Sequence, residues 1–177
     1  YYLDMLGMPA DTAYLEVESP FSADQLQVRM AANLSTRWRD REASIPAIVK
    51  LIAAQHQAQP GNYLAFFGSY AFMRAAAQAF ALAQPQIPTW CQQPGMSEAE
   101  RSAFLDRFVD PMVTDDQGAQ LIVAHTGGVG FAVLGGAFAE GIDLPGQRLI
   151  GAFIATLGMP QVDPVNEAMR ERLHTMF

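Results

Sequence analysis

Short, continuous apolar runs alternate along this chain with segments of helical periodicity. The clearest run is "YLAFF" at 63–67, which follows the turn signal "QPGN" and shows no alternation of polar and apolar side chains. A strand of this kind is buried on both faces, as in a parallel sheet. The next segment, "SYAFMRAAAQAFALA", is rich in Ala and places Tyr70, Met73, Ala77 and Phe80 on one side. Together they predict a strand followed by a helix that packs on the sheet.

Two more helices are expected on either side of this pair. Residues 45–58 carry apolar side chains at helical spacing, with Ser44 as the expected N-cap and Pro46 in the first turn. Further along, Ser97 and Glu100 have the spacing of a capping box. The apolar face that follows this box consists of Phe104, Leu105 and Phe108.

The remaining apolar runs complete the alternation. "IPTWCQ" predicts a strand, "RLIGAFIATLG" predicts another buried strand, and "LIVAHTGGVGFAVLGG" offers strand material whose register its glycines leave open. "VDPMVTDDQGAQ" is polar and turn-rich, which is typical of an insertion or a long loop. A last helix is expected from Asp163, as N-cap, and Pro164, with Val165, Met169 and Leu173 on one face. This pattern predicts an α/β fold with a mostly parallel sheet flanked by helices.

Composition favours one globular domain that contains no membrane span. The chain has 177 residues, of which 50% are apolar and 16% charged, which excludes the composition of intrinsic disorder. Gly, Pro or charge interrupts the apolar stretches before they reach the length of a membrane span. Neither a signal peptide nor a cysteine pair is visible, because Cys91 is the single cysteine. We expect a cytoplasmic piece of a longer protein, with Cys91 as an ordinary strand or loop residue.

The positive charge of the chain is unevenly distributed. The net charge of −7 excludes a generally basic surface for nucleic acid. Five of the eleven Lys and Arg residues nevertheless lie within residues 29–50. They are Arg29, Arg37, Arg39, Arg41 and Lys50. Two interpretations remain open, a local basic patch and a solvated run whose charges pair with Asp40 and Glu42.

Two strand exits carry polar residues that suit a ligand. In open α/β sheets, ligands bind beyond the carboxyl ends of the strands. The exits are "GSY" at 68–70 and "GGAFAEGID" at 135–143, whose glycines allow a close approach of the backbone. There, Asp143 can accept a hydrogen bond from a sugar hydroxyl or assist a hydrated Mg²⁺. Alternatively, the glycines only form turns, and the acids cap a helix or pair with Arg148.

The sequence motifs of several common catalytic and metal sites are absent. No "GxxxxGK[ST]" phosphate loop and no "GxSxG" nucleophile motif is present. His56, His125 and His174 have no metal-ligand spacing. "GGVGFAVLGG" contains a crude glycine-rich pattern, which leaves a Rossmann-like dinucleotide-binding enzyme as an alternative. A noncatalytic interaction module is a further alternative, which the net acidity favours.

Two segments taken together resemble a known family. "NYLAFFGSYAFM", followed about seventy residues later by "GGAFAEGIDLPGQRLIGAFIATLGMPQVDPVNEAMRERL", is similar to the second motor domain of bacterial XPD/DinG-type helicases of superfamily 2. The resemblance extends over nearly all of residues 1–177 and implies a single RecA-like three-layer domain. "YYLDMLGMP" resembles the segment after the first motor domain, and "TRWRDREASIPAIVKLI" resembles the link into the second.

The resemblance implies an ATP-dependent DNA helicase. In this family, ATP and Mg²⁺ lie in the cleft between two RecA-like domains, and single-stranded DNA crosses both. The first motor domain carries the P-loop and, in many members, four cysteines that hold an iron–sulfur cluster. The partners implied for this chain are therefore single-stranded DNA and the first RecA-like domain of the same parent chain. Movement from 5′ to 3′ and a role in DNA repair are also implied.

The resemblance assigns residues at both strand exits. Glu140, Gly141 and Asp143 match motif V positions that face the nucleotide cleft. Four other residues are expected beside the DNA, namely Ser69 and Tyr70 in motif IV and Gly135 and Gly136 at the start of motif V. Bases stack on exposed aromatic rings in such grooves. Tyr70 and Trp38 are the candidate rings in this chain.

Two departures from the family pattern affect these expectations. Bacterial members commonly have proline where this chain has Gly68. The sequence also ends at "MRERLHTMF", before the "QxxGRxxR" motif VI that carries the arginine finger of the family. Because such an arginine contributes several orders of magnitude to phosphoryl transfer, we expect this domain alone to be inactive.

Overall fold

The computed structural model describes residues 2–9, 11–13, 15–110, 112–114, 117, 120–122, 127–156 and 164–176. The chain divides into two compact units, Tyr1–Ala32 and Asn33–Phe177. The first unit contains the short helix α1 (Tyr2–Met5) and a 3-10 turn at Ala23–Gln25. Its described side chains are almost all exposed.

The second unit contains the sheet and the longer helices. In chain order its elements are α2 (Arg41–Ala58), β1 (Tyr63–Phe67), α3 (Tyr70–Ala83), β2 (Thr89–Cys91), α4 (Glu98–Leu105), β3 (Met112–Thr114), β4 (Gln120–Ile122), β5 (Val129–Val133), β6 (Gly151–Ala155) and α5 (Pro164–Met176). Four strands form a parallel sheet in the order β2-β5-β1-β6. The predicted α/β fold, with a parallel sheet flanked by helices, is confirmed.

The sheet has a covered core on each face. On one face, α2 and α3 pack against sheet residues that include Ala65, Phe67 and Phe131. On the other face, α4 and the segment after β5 pack against Leu64, Phe66 and other residues of the sheet. All five residues of β1 are buried because this strand lies between two neighbours and two helical layers. The buried strand that the apolar run at 63–67 predicted is confirmed, and the arrangement is the three-layer sandwich that the family resemblance implied.

Helix α2 begins earlier than the sequence predicted. Asp40 occupies the N-cap position, and its carbonyl accepts the Ser44 N–H at 3.0 Å. Ser44 therefore lies inside the helix, where its hydroxyl donates to the Arg41 carbonyl at 2.7 Å. The predictions of Ser44 as N-cap and of Pro46 in the first turn were wrong, because the helix begins after Asp40, one helical turn before Ser44. Pro46 then lies in the second turn, where it cannot donate to the Glu42 carbonyl.

The turn-rich segment before β5 is not only a loop. Strands β3 and β4 pair antiparallel, with Met112 opposite Ile122, so that β3 lies in this segment and β4 begins at its last residue. An antiparallel pair needs only a short connection, so three residues on each side of a polar turn are enough. Of the two predictions for this segment, the long loop was wrong for these strands, and the insertion stays a prediction.

Strand β6 differs from the prediction of a buried strand. It is last in the order of the sheet, its residues alternate between half-buried and exposed, and Ile154 is 65% exposed. The helix predicted near it is confirmed as α5, although its apolar residues Val165, Met169 and Leu173 are exposed and Asp163 lies outside the described residues. No described helix combines the length and the apolar character that crossing a bilayer requires.

Candidate functional site

The carboxyl ends of the four parallel strands lie at one edge of the sheet, which we call the carboxyl edge. Phe67, the last residue of β1, pairs with Val133, the last residue of β5. Directly after β5, the Leu134 N–H donates to the Phe67 carbonyl at 2.9 Å. The exits "GSY" and "GGAFAEGID" therefore leave the sheet side by side, at the edge where open α/β sheets bind their ligands.

Ser69 begins helix α3 at the carboxyl edge. It is the N-cap in extended conformation, and its hydroxyl oxygen accepts the Phe72 N–H at 3.3 Å. The hydroxyl proton remains available as a donor, because a cap uses only the oxygen. The N-terminus of this 14-residue helix also carries partial positive charge. Both properties suit a phosphate oxygen.

Tyr70 is held in place by side chains on both its ring and its hydroxyl. Its hydroxyl accepts a hydrogen bond from Gln92 Nε2 at 3.2 Å, and the Arg74 guanidinium lies 5.9 Å from the centre of its ring. Gln92 is buried, and its Oε1 accepts the Val133 N–H at 2.8 Å. One buried amide therefore joins the exits of β1, β2 and β5. Sequence reasoning missed Gln92, since a glutamine after a strand belongs to no motif.

The two glycines that follow β5 have different structural roles. Gly135 has φ +80°, a conformation that favours glycine. A Cβ on Gly136 would lie 3.0 Å from Gln92 Nε2 and 3.0 Å from the Val133 carbonyl oxygen. Close packing against Gln92 therefore accounts for Gly136, and its expected contact with DNA stays a prediction.

The segment after these glycines exposes the predicted carboxylates. Phe138 is buried and stacks on Phe104 of α4 with ring centres 4.2 Å apart, which fastens the segment to that helix. Glu140, Gly141 and Asp143 are exposed. Gly141 has φ +71°, and a Cβ at this position would contact no other atom within 4 Å. A glycine is therefore favoured here by the backbone conformation and not by close packing. The segment is anchored by an aromatic ring and presents two acids to solvent.

Neither acid takes the structural role that the sequence left open. Arg148 donates instead to the carbonyl of Leu105, the last residue of α4, at 3.3 Å and to that of Phe108, just after the helix, at 2.9 Å. Within the described parts of the chain, Glu140 and Asp143 form no ion pair or hydrogen bond and cap no helix. Their charge is free to interact with a ligand.

The described residues contain no metal centre of their own. They include no group of three or more His, Cys, Asp and Glu side chains suited to a metal ion. Mg²⁺ in phosphoryl-transfer sites commonly uses one or two carboxylates together with substrate phosphates and water. The exposed acids Glu140 and Asp143 fit such a shared site and not a separate protein cage.

The basic run before α2 is not self-paired. Asp40 accepts a hydrogen bond from the Ser35 hydroxyl, and within the described residues no arginine forms an ion pair with Asp40 or Glu42. Arg37 and Arg39 are exposed, as is Lys50 in α2. The interpretation of a self-paired run finds no support among the described residues, and the local basic patch stays a prediction.

Cys91, His56 and His174, which lie in the described parts of the chain, form no metal-binding group. Cys91 lies half-buried in β2, and burial raises the pKa of its thiol above the ordinary value, partly offset by the positive charge of Arg74. The thiol is therefore protonated at neutral pH, which makes it a poor nucleophile. His56 is buried in α2 and His174 lies in α5, while His125 falls outside the described residues.

The glycine-rich pattern "GGVGFAVLGG" does not form a dinucleotide loop. Such a loop joins a strand to the helix that follows it, whereas Gly130 lies within β5 itself. A Cβ on Gly130 would lie 2.7 Å from the Phe108 ring and 3.0 Å from Trp90 Nε1. Tight packing on aromatic rings explains this glycine, and the structure gives the Rossmann-like interpretation no support.

Comparison with known families agrees with this arrangement. A family model described as the helicase C-terminal domain matches residues 52–176, a range that includes both strand exits and the exposed acids. No curated protein matches the chain significantly. Since the matched range covers well over half of its length, the chain belongs to the helicase C-terminal domain family.

Proposed function

We propose that this chain is the second motor domain of a bacterial, cytoplasmic XPD/DinG-type ATP-dependent DNA helicase. Family membership makes the chain part of a helicase. The observation that carries the finer proposal is the pair of exposed acids, Glu140 and Asp143, on a segment anchored by Phe138 directly after β5. Acids without protein partners are expected where a ligand or a second domain supplies the counter-charge.

Glu140 and Asp143 would form one wall of an ATP cleft. A carboxylate repels phosphate, so these side chains do not hold the triphosphate themselves. They are suited to accept hydrogen bonds from a ribose hydroxyl or from water molecules around Mg²⁺. Gly141 lets the backbone between them turn. The phosphates would be held by the P-loop of a first RecA-like domain, which also carries any iron–sulfur cluster.

The exits of β1 and β5 would form part of the groove for single-stranded DNA. The Ser69 hydroxyl and the N-terminus of α3 offer donors to backbone phosphates, beside Tyr70 and the turn at Gly135 and Gly136. Contacts to phosphate position a strand without reading its sequence. This groove is therefore suited to an enzyme that moves along DNA of any sequence.

Hydrolysis would require both motor domains. ATP binding would close the two RecA-like domains and hydrolysis would reopen them, moving the strand by one step per cycle. An arginine finger supplies much of the transition-state stabilisation in enzymes of this kind. Motif VI of the parent would supply this arginine. The helicase would move along single-stranded DNA from 5′ to 3′, and its biological role would lie in DNA repair.

ATP hydrolysis by the full-length parent tests the proposal. We expect hydrolysis that single-stranded DNA stimulates strongly, and none from residues 1–177 alone. Binding of NAD or FAD by the parent, without hydrolysis of ATP, would overturn the proposal in favour of a dinucleotide-binding enzyme. Binding of neither nucleotide nor DNA would favour a noncatalytic interaction module.

A further inference from the structure

Arg41, the first residue of α2, is held in a defined position by its neighbours in the fold. Its Nε donates to the Thr36 carbonyl at 3.1 Å. Its guanidinium lies 5.3 Å from the ring centre of Trp38 and 5.4 Å from that of Phe72. Arg41 is half-buried, and no carboxylate in the described part of the chain forms an ion pair with it. The charge is therefore positioned by aromatic rings and left without an acid.

The terminal nitrogens of Arg41 reach the carboxyl edge. A Cβ on Gly68 would lie 3.2 Å from Arg41 Nη2 and 2.9 Å from Thr156 Oγ1. Gly68 follows β1 and Thr156 follows β6, and these strands are neighbours in the sheet. A guanidinium and a hydroxyl therefore approach one exposed glycine, beside the N-terminus of α3. The guanidinium and the N-terminus of α3 together suit an oxyanion such as phosphate.

Trp38 provides an exposed ring next to this charge. It lies in the turn that the Asp40 N–H closes by donating to the Arg37 carbonyl at 2.8 Å, and it is 79% exposed. Tyr70, the other aromatic candidate, is instead half-buried and bonded to Gln92. A large indole ring that remains exposed beside a fixed guanidinium is a platform on which a base can stack.

We propose that Trp38 and Arg41 form a subsite for one nucleotide of single-stranded DNA, with the base on the Trp38 ring and a backbone phosphate on the Arg41 guanidinium. The inference rests on the proposed function, because it extends the DNA groove from Ser69 across Gly68 to the turn before α2. The exposure of Trp38 favours a strand that lies on the surface. ATP also carries a base and phosphates and could occupy the same subsite. The test below therefore distinguishes binding of DNA from binding of ATP.

Binding of a fluorescently labelled oligo-dT to the full-length parent, over a series of salt concentrations without ATP, tests the subsite. We expect Arg41→Gln to weaken binding about tenfold and to reduce the slope of log K against log salt by about 0.7, the value for one phosphate contact in single strands. Arg41→Lys should restore the slope, since it keeps the charge. We expect Trp38→Leu to weaken binding about tenfold without changing the slope, and Trp38→Phe to retain most of the affinity.

Matched variants and ATP kinetics make the result decisive. Arg101→Gln removes an exposed arginine from α4, where it pairs with Glu98, and should change neither affinity nor slope. If Arg41→Gln and Arg41→Lys lower thermal stability equally and leave the slope unchanged, Arg41 only supports the fold and the inference is wrong. A rise in KM for ATP with unchanged DNA affinity would assign the subsite to the nucleotide and also overturn it.

The same measurement separates the inference from the proposed function. A wild-type parent that binds no single-stranded DNA contradicts the proposed function itself. A parent that binds DNA and hydrolyses ATP, but whose Trp38 and Arg41 variants bind as the wild type does, contradicts the subsite alone.

Discussion

Gln92 Nε2 donates to the Tyr70 hydroxyl at 3.2 Å, and this bond joins the start of α3 to the end of β2. The same side chain accepts the Val133 N–H at the end of β5. The two strand exits assigned to the site are therefore held together by one buried amide. Their relative position depends on a residue that is not expected to touch either ligand.

Replacing Gln92 should destabilise the domain. Gln92→Ala leaves the N–H of half-buried Val133 without its acceptor and frees the Tyr70 hydroxyl, so we expect a loss of about 2 kcal/mol in the free energy of unfolding. Urea denaturation measures this loss. Gln93→Ala, at the exposed neighbouring position, should cost under about 0.5 kcal/mol. Equal effects of the two variants would show that the hydrogen bonds of Gln92 contribute little.

Ser69 should contribute separately to stability and to DNA binding. Ser69→Ala removes the N-cap of α3 and should cost about 1 kcal/mol, whereas Ser69→Asn and Ser69→Asp should keep the cap. The aspartate would place negative charge beside the proposed DNA phosphate, and we expect about tenfold weaker binding of oligo-dT. Ser97→Asp is the control, because Ser97 caps α4 in the same way. Unchanged DNA binding by Ser69→Asp would remove Ser69 from the groove.

Gly141 should matter to ATP turnover beyond its effect on stability. Both Gly141 and Gly95 have positive φ, +71° and +69°, with nothing near a Cβ. Substitution by Ala at either position should therefore cost about 1 kcal/mol in the free energy of unfolding. Only Gly141→Ala should also lower ATP hydrolysis by the parent, because it alone moves the acids beside it. Equal hydrolysis by the two variants would contradict a role of this turn in the cleft.

Cys91 should react slowly with alkylating reagents at neutral pH. Burial raises the pKa of its thiol, so the fraction of reactive thiolate is below that of an exposed cysteine and increases only as the pH rises past the ordinary thiol value. Arg74 lowers this pKa, and removing it by Arg74→Ala should raise the pKa further and slow alkylation. Mass spectrometry of Cys91 after timed treatment with iodoacetamide measures both rates. Faster alkylation of a folded Arg74→Ala variant would contradict the assigned effect.

Elements with strong local signals could be predicted from the sequence. Strand β1 and helix α3 were predicted because an unbroken apolar run is followed directly by an Ala-rich amphipathic segment. The capping box at Ser97 and Glu100 is confirmed for the same reason, since its two hydrogen bonds are local. Such features depend on neighbours in the sequence.

Features that depend on distant neighbours could not be predicted. The composition of β6 does not show that it lies at the end of the sheet, so the exposure of Ile154 was missed. The approach of Arg41 and Thr156 to Gly68 joins three segments far apart in the chain. Glu140 and Asp143 were assigned from a family motif, whereas only the fold could show that they have no ion pair or hydrogen bond within the part of the chain that the structure describes.

The central claim, that Asp143 faces ATP, is tested most directly by ATP hydrolysis in the full-length parent with saturating single-stranded DNA. Asp143→Asn keeps the size of the side chain and removes its charge, and we expect kcat/KM for ATP to fall at least about tenfold, as loss of one charged contact in the transition state implies. Asp106→Asn, which removes an exposed acid at the end of α4, should leave it unchanged. Equal kcat/KM for wild type and Asp143→Asn in a DNA-stimulated parent would contradict the account.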